Sequence, residues 1–237
     1  MSPPLPIAET FHSIQGEGKL TGVPSYFVRV AGCNLRCSWC DTPYSSWNPE
    51  GETRTIDDLV AEAGSSRHAV ITGGEPMLFA ATRDLAAALH GAGVHVTIET
   101  AGTTFDPSRA PHGDLMSISP KLANSTPRAG DPRDPGGAWR DRHEARRLSI
   151  PTLQALLLAY PERQMKFVVA SPNDLPEIDS ILSQLPDLAA ADVMLMPEGV
   201  SPPTAESQRW IVEACVRRGW RYCRRLHIDL FGNRRGT

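Results

Sequence analysis

The chain has 237 residues, with 24 Lys or Arg and 27 Asp or Glu, so its formal net charge at pH 7 is −3. A chain of this length buries a sizeable core without metal or disulfides, and this charge gives no general attraction to nucleic acid or to anionic membranes. The composition therefore favours a small-molecule partner over a nucleic-acid or membrane partner.

The predicted location of the protein is the cytoplasm. No apolar run approaches the roughly 20 residues that cross a bilayer, and the opening residues lack the basic and apolar regions of a signal peptide. The chain has five cysteines, three of them clustered, which fits a reducing compartment better than a disulfide framework.

The predicted elements alternate between strands and helices along most of the chain. Strands are predicted over residues 7–11, 25–30, 68–72, 94–98, 114–118, 164–169, 192–196 and 221–226, and helices over 56–63, 77–90, 148–159, 175–185 and 204–218. Such alternation is typical of a parallel sheet covered by helices. About six of the strands form the expected core, too few for a full eight-stranded barrel. We therefore expect a single α/β domain over residues 1–237, a partial barrel with a loop-rich insertion around residues 124–139.

Three cysteines follow the strand predicted over residues 25–30 with two short spacings. Cys33, Cys37 and Cys40 lie within eight residues, whereas Cys215 and Cys223 lie far along the chain. Thiolates are soft ligands for zinc or iron–sulfur clusters, and three of them leave one coordination position open. A structural zinc site needs a fourth protein ligand. We favour an iron–sulfur cluster, with structural zinc as the main alternative and a disulfide as the least favoured.

Polar groups also follow the carboxyl ends of other predicted strands. Gly74 and Glu75 follow one strand, Glu99 the next, and Ser119 and Lys121 a third. The carboxyl ends of parallel strands meet at one edge of the sheet, where ligands bind. We expect these groups and the cysteines to surround one ligand site. For each residue by itself, the alternative is a solvated strand end.

Several other polar residues have weaker signals. Arg29 lies inside a half-buried strand, so it either points to solvent or meets an anion. His112, His143 and His227 have no ligand spacing and are expected to be surface or ordinary core residues. The paired arginines, among them Arg225, are expected on solvated faces.

The cysteine triplet and the Gly-Gly-Glu element resemble the radical S-adenosylmethionine superfamily, and longer segments resemble the 7-carboxy-7-deazaguanine synthases of the 7-deazapurine pathway. The matching segments are residues 11–18, 27–37, 40–42, 72–76, 98–100, 119–127, 166–168 and 225–227. The Gln-Gly-Glu-Gly run at residues 15–18 and the Ser-Pro-Lys run at residues 119–121 are the most discriminating of these. The resemblance therefore spans nearly the whole chain.

The resemblance implies a ring contraction that converts 6-carboxy-5,6,7,8-tetrahydropterin to 7-carboxy-7-deazaguanine with release of ammonia. It implies a 4Fe–4S cluster on Cys33, Cys37 and Cys40, with S-adenosylmethionine at the open iron and Mg²⁺ bound through Thr42. The reduced cluster would cleave that cofactor to methionine and a 5′-deoxyadenosyl radical. It further implies a six-stranded abbreviated barrel, a homodimer, and a flavodoxin-like or other one-electron reductant.

The resemblance also assigns contacts residue by residue. Contacts to the pterin would come from Ile14, Gln15, Gly16, Glu17, Arg29 and Thr72. Contacts to S-adenosylmethionine would come from Trp39, Cys40, Asp41, Gly74, Glu75, Glu99, Ser119, Pro120, Lys121, Met196, Pro197 and Glu198. Met196 stands where a glutamine is common, so backbone contacts are expected at that position. The planar fork of Arg29 suits a carboxylate. No catalytic side chain is assigned beyond the cofactor and metal ligands.

Two alternatives share part of this pattern. A glycyl-radical-activating enzyme has the cysteine triplet and the Gly-Gly-Glu element and docks on a large protein, but residues 15–18 argue against it. A zinc-stabilised binding module would carry no chemistry. Iron content separates the latter from a cluster enzyme, because a 4Fe–4S site holds about four irons per chain.

Overall fold

A single nine-stranded sheet organises residues 4–185 and 188–237, the part of the chain that this computed structural model describes. The first three residues, which belong to the segment considered for a signal peptide, lie outside it. The strands are β1 (Leu5–Ile14), β2 (Pro24–Val30), β3 (Glu52–Arg54), β4 (His68–Gly73), β5 (His95–Thr100), β6 (Leu115–Ile118), β7 (Arg163–Val169), β8 (Val193–Pro197) and β9 (Arg221–Tyr222). The α-helices are α1 (Pro43–Ser46), α2 (Ile56–Ala63), α3 (Ala81–Gly91), α4 (Ala138–Glu144), α5 (Ile150–Ala159), α6 (Leu175–Leu182), α7 (Ala205–Arg218) and α8 (Leu226–Phe231).

The centre of the sheet is parallel, and its topology confirms the predicted fold class. The strand order is β3-β1-β2-β4-β5-β6-β7-β8-β9, and every neighbouring pair from β2 to β9 is parallel. The six long parallel strands, β2 and β4 to β8, match the expected count of about six. Two antiparallel strands, β1 and β3, extend one edge, and the two-residue β9 closes the other. The result is an α/β partial barrel.

The main core lies between the sheet and the helices that connect its strands. Ile71 and Ile98 of β4 and β5 are fully buried, as are Leu85 and Leu89, which lie four residues apart on one side of α3. Burying each of these side chains stabilises the fold by about 1.5–3 kcal/mol. The helical spacing of apolar residues therefore decides which face of α3 covers the sheet.

Local capping explains where several helices begin and end. Thr55 accepts a hydrogen bond from the backbone N–H of Asp58 (3.2 Å), and α2 spans the residues predicted for it. Thr204 caps α7 in the same way, and α7 ends at Gly219, whose φ of +69° is in the left-handed region. None of the described helices combines the length and apolarity that a membrane crossing requires.

Several parts of the chain differ from the predicted elements, and both α1 and β3 were not predicted. Only Arg221–Tyr222 of the strand predicted over 221–226 pairs with β8, and α8 follows, which the sequence pattern did not indicate. The helix predicted over 77–90 begins at Ala81, because Pro76–Leu78 forms a separate 3₁₀ turn. The insertion around residues 124–139 contains the start of α4 and packs against the cysteine loop, as shown below.

Candidate active site

A cavity of about 300 Å³ opens at the carboxyl ends of the parallel strands. This volume is at the lower end of the range for small-molecule sites. Most of the predicted site residues line it, as the shared edge of the strands led us to expect. They are Ile14, Gln15, Gly16, Glu17, Arg29, Cys33, Cys37, Trp39, Cys40, Asp41, Thr42, Thr72, Gly74, Glu99, Ser119, Lys121 and Met196. Glu75, Pro120, Pro197 and Glu198 are not among the residues that line the cavity.

The three clustered cysteines lie on one wall of this cavity as free thiols. Burial, reinforced by the charge of Glu75, raises the pKa of Cys33 to about 12, and burial also raises the pKa of Cys37. Such thiols lose their protons when a metal centre coordinates them. Three free thiols, buried or half-buried on one cavity wall, are the donor set that a cluster requires, so the residues present fit a 4Fe–4S centre.

The loop that carries the cysteines is anchored by residues 124–144, of which the sequence pattern identified residues 124–139 only as a loop-rich insertion. The backbone N–H of Ser38 donates to the carbonyl of Ser125 (2.8 Å), and the indole N–H of Trp39 donates to Asn124 Oδ1 (3.1 Å). Trp47 Nε1 in turn donates to the carbonyl of Cys37 (3.0 Å). The insertion therefore orders the loop between the second and third cysteines.

His143 of α4 is a fully buried member of this anchor. Its Nδ1 accepts from the backbone N–H of Arg36 (3.1 Å), so Nε2 carries the hydrogen and donates to Ser125 Oγ (2.9 Å). Burial lowers the pKa of His143 to about 4, which keeps the imidazole neutral. His143 is fully buried, which is one of the two environments predicted for it. Its contact with the cysteine loop had no signal in the sequence.

Gly74 and Glu75 join the end of β4 to the cysteine loop and to β5. A Cβ atom on Gly74 would lie 1.9 Å from the carbonyl oxygen of Gly32, so this close approach of two backbones requires glycine. The carboxylate of Glu75 is fully buried and accepts from Thr100 Oγ1 (2.8 Å) and the N–H of Ala101 (2.8 Å). Glu75 thus fixes the relative position of two strand ends from behind the cavity wall.

Glu99 lies among residues that the resemblance assigns to the pterin. Its two oxygens accept from Gln15 Nε2 (3.2 Å) and Thr72 Oγ1 (2.7 Å). Strands β4 and β5, together with Gln15 directly after β1, therefore present one hydrogen-bonded polar surface to the cavity.

An ion cluster forms a second polar wall. Glu17 pairs with Lys166 and with Arg225 (3.3 Å), and Arg225 also pairs with Asp41 (2.5 Å). Burial alone would raise the pKa of Glu17, but Lys166, Arg225 and His227 together hold it well below its usual range. The side chain of Arg225 is only 11% exposed. The prediction that Arg225 lies on a solvated face is therefore wrong, because the segment before α8 folds back over the cavity.

Arg29 meets an anion from its own chain. Its Nε donates to Glu9 Oε1 (2.7 Å), which also accepts from the hydroxyl of Tyr44 (2.6 Å). Glu9 and Arg29 are register partners in the β1–β2 pair. Glu9 and Tyr44 were missed because strand register is not encoded in any local pattern, although Glu9 does lie in a predicted strand.

Thr42 lies at the start of α1, where its hydroxyl lines the cavity. Its Oγ1 is 3.4 Å from Asp41 Oδ1 and accepts from Ser45 Oγ (3.3 Å). Hydroxyl and carboxylate oxygens are hard donors of the kind that Mg²⁺ takes. Thr42 is thus placed beside the cysteines with a carboxylate next to it.

Comparison with known proteins agrees with this arrangement. The family described as the Radical SAM superfamily matches residues 27–118. A 7-carboxy-7-deazaguanine synthase of Rhodopirellula baltica is 49% identical over 236 residues, which cover 98% of this chain and 88% of the relative. One of Halobacterium salinarum is 44% identical, covering 98% of this chain and 92% of the relative. The crystal structure of QueE from Escherichia coli matches with a TM-score of 0.67 at 25% identity over 93% of each chain.

Proposed function

This chain belongs to the 7-carboxy-7-deazaguanine synthases of the radical S-adenosylmethionine superfamily, and on that premise we propose how its cavity supports the reaction. The reaction is the contraction of 6-carboxy-5,6,7,8-tetrahydropterin to 7-carboxy-7-deazaguanine with release of ammonia. One observation carries the proposal, namely that the cysteine triplet and the two polar walls line the same cavity. Neither a glycyl-radical-activating enzyme nor a zinc module is favoured by the relatives.

Cys33, Cys37 and Cys40 would hold the 4Fe–4S cluster beside the S-adenosylmethionine site. When bound and reduced, these groups supply the one-electron chemistry, and the protein supplies binding, orientation and exclusion of water. Further contacts to S-adenosylmethionine are proposed from Trp39, Asp41, Gly74, Glu99, Ser119, Lys121 and Met196, which line the cavity. Glu75, Pro120, Pro197 and Glu198 would act from behind these residues or through their backbone.

The pterin would bind between the two polar walls. Arg29 uses its Nε on Glu9, which leaves the two Nη atoms of its planar fork for the carboxylate of the substrate. The carboxylates of Glu17 and Glu99 are acceptors that suit the amino and ring N–H donors of a pterin. Gln15 and Thr72 hold Glu99 in place, while Ile14 and Gly16 complete the wall.

We infer that Mg²⁺ binds through Thr42, because its hydroxyl faces the cavity beside the carboxylate of Asp41. Mg²⁺ usually keeps several waters and takes substrate oxygens, so a single protein hydroxyl can contribute. Replacing Thr42 with Ala should weaken the stimulation of turnover by Mg²⁺, whereas Ser should retain it. An unchanged response to Mg²⁺ in Thr42→Ala would remove Thr42 from the metal site.

The wider setting is proposed on the same resemblance. We expect one domain, a homodimer, a flavodoxin-like or other one-electron reductant, a cytoplasmic location, and no nucleic-acid or membrane partner. Leu158 and Val216 are 89% and 78% exposed, so apolar surface is available on α5 and α7 for a second copy. Light scattering of the purified protein tests this, because a monomer at micromolar concentration would contradict the proposed dimer.

The decisive experiment incubates the anaerobic protein with the carboxytetrahydropterin, S-adenosylmethionine and a reductant, followed by mass spectrometry of the purine product. We expect 7-carboxy-7-deazaguanine from the wild type and from Cys215→Ala, because Cys215 is buried in α7, away from the cavity. Cys37→Ala should abolish turnover and lower the iron content. Deoxyadenosine formation by Cys37→Ala would contradict the ligand assignment, and stoichiometric zinc without iron in the wild type would contradict the function.

A further inference from the structure

A group of histidines lies at the amino ends of the parallel strands, at the edge of the sheet opposite to the cavity. Of the seven histidines in the chain, His68 and His95 begin β4 and β5, His90 lies in the last turn of α3, and His112 lies three residues before β6. Asp114 lies directly before β6. Burial alone would raise its pKa, but hydrogen bonds from the backbone N–H of Val96 and from His112 lower it. None of these residues lines the cavity, so the reaction does not explain the grouping.

The nitrogen edges of two of these imidazoles converge on the Asp114 carboxylate. His90 Nδ1 is 3.6 Å from Asp114 Oδ2, and His112 Nε2 is 3.3 Å from Asp114 Oδ1. The two rings lie 3.6 Å apart at an angle of 33°. The three ligand atoms all lie within 4.8 Å of one another.

The carboxylate is fixed by the sheet, whereas the imidazoles can adjust. Asp114 Oδ2 accepts from the backbone N–H of Val96 (2.8 Å), and the N–H of Asp114 donates back to the carbonyl of Val96 (2.9 Å). The side chains of His90 and His112 are 51% and 38% exposed. A rigid anchor with two adaptable ligands therefore stands at the surface.

We propose that His90, His112 and Asp114 bind a transition-metal dication, with Zn²⁺ the best match. Zinc bonds of about 2.0–2.1 Å in a tetrahedron place neighbouring donor atoms about 3.4 Å apart. The distance from each imidazole nitrogen to its own carboxylate oxygen, Oδ2 for His90 and Oδ1 for His112, is within a few tenths of an ångström of this value. All three ligand atoms lie within 4.8 Å of one another, and rotation of the exposed rings would bring the two imidazole nitrogens to the spacing that zinc requires.

The donor set selects the class of metal. Two imidazoles and one carboxylate suit zinc, copper or nickel, whereas Mg²⁺ and Ca²⁺ prefer oxygen ligands alone. Water would complete the coordination. A bound ion would join the end of α3 to the segment that enters β6, so it would stabilise the fold without contacting the reactants.

The test measures zinc binding to the untagged holoenzyme, in which the cluster already occupies Cys33, Cys37 and Cys40. Anaerobic calorimetry with zinc chloride should show one zinc per chain. The affinity should fall more than about tenfold in His112→Ala and in His90→Ala, because even outer-sphere partners of a metal contribute that much. His12→Ala is the control, since His12 is an exposed histidine of β1, and it should bind zinc as the wild type does.

A thermal melt provides the second measurement. Added zinc should raise the melting midpoint of the wild type and of His12→Ala but not that of the double variant of His90 and His112. All variants should keep deazaguanine formation, which confirms that they are folded. Equal zinc affinity in the wild type and the double variant, or no zinc bound at millimolar concentration, would overturn the proposal.

Discussion

Replacing Glu17 with Gln isolates the contribution of the ion cluster to folding. The side chains of Glu17, Lys166 and Arg225 are 14%, 7% and 11% exposed, so solvent screens their charges weakly. The substitution keeps the shape of the side chain but removes the charge to which Lys166 donates. Arg225 keeps the carboxylate of Asp41. The substitution therefore leaves mainly Lys166 without its ion-pair partner.

The expected loss in the free energy of unfolding follows from this difference between Lys166 and Arg225. Removing one partner of a buried ion pair costs about 3–5 kcal/mol, because the other charge stays buried without compensation. Glu17→Gln should therefore lower the free energy of unfolding at pH 7 by about 3 kcal/mol, the lower end of that range, because the charge of Glu99 also acts on Lys166. Lys166→Met should cost less, since Glu17 still pairs with Arg225. The double variant should be more stable than the sum of the single effects predicts, by about 1–3 kcal/mol.

Urea denaturation under anaerobic conditions, followed by fluorescence, measures these differences. The matched control is Glu213→Gln, because the pair of Arg209 and Glu213 on α7 is 80% and 55% exposed and should contribute less than about 1 kcal/mol. If Glu17→Gln is no more destabilising than Glu213→Gln, the buried ion cluster does not contribute the stability expected of it.

The same cluster gives a pH signature. The pKa of Glu17 is lowered from its ordinary value of 4.5 in the folded protein. Its contribution to stability is therefore fully present above about pH 4.5 and is lost as the pH falls further toward the folded pKa. Glu17→Gln should remove this part of the acid sensitivity, whereas Glu213→Gln should leave it unchanged.

Two further predictions concern buried histidines. Burial, with a smaller effect of His95, lowers the pKa of His68 from 6.5 to about 4. The free energy of unfolding should therefore fall by about 3 kcal/mol between pH 7 and pH 4. In His68→Gln the slope of this free energy against pH should flatten, and an unchanged slope would contradict a buried neutral imidazole. His143→Ala leaves the buried N–H of Arg36 without its acceptor, which costs about 1–3 kcal/mol. This variant should therefore release iron to a chelator faster than the wild type. The exposed control His12→Ala should release iron at the wild-type rate. Equal rates in these two variants would remove His143 from the anchor of the cysteine loop.

Features that depend on short stretches of chain were predictable. The spacing of Cys33, Cys37 and Cys40 brings three thiols together within one loop, whatever the rest of the fold does. The alternation of strands and helices placed Gly74 and Glu99 at the same edge, because parallel strands share the direction of their carboxyl ends. The parallel core, and the grouping of most predicted site residues at one cavity, therefore followed from the sequence.

Predictions were less accurate where polar and apolar patterns are weak. The strand predicted over 221–226 is only two residues long, and α8 follows it. The insertion had no apolar period, yet Asn124 and His143 within and beside it hydrogen-bond to the cysteine loop. These contacts join polar groups that are far apart in sequence, and no local pattern identifies such partners.

The sequence by itself determined the class of fold, the grouping of Cys33, Cys37 and Cys40 in one loop and the edge of the sheet at which they lie, because each depends on spacing or periodicity within about one element. Only the tertiary structure decided that Arg29 pairs with Glu9, that Arg225 is buried against Glu17, and that His90 and His112 meet at Asp114. Strand register and the packing of distant segments set these contacts. They are chosen by the burial of the whole core, so they cannot be assigned residue by residue along the chain.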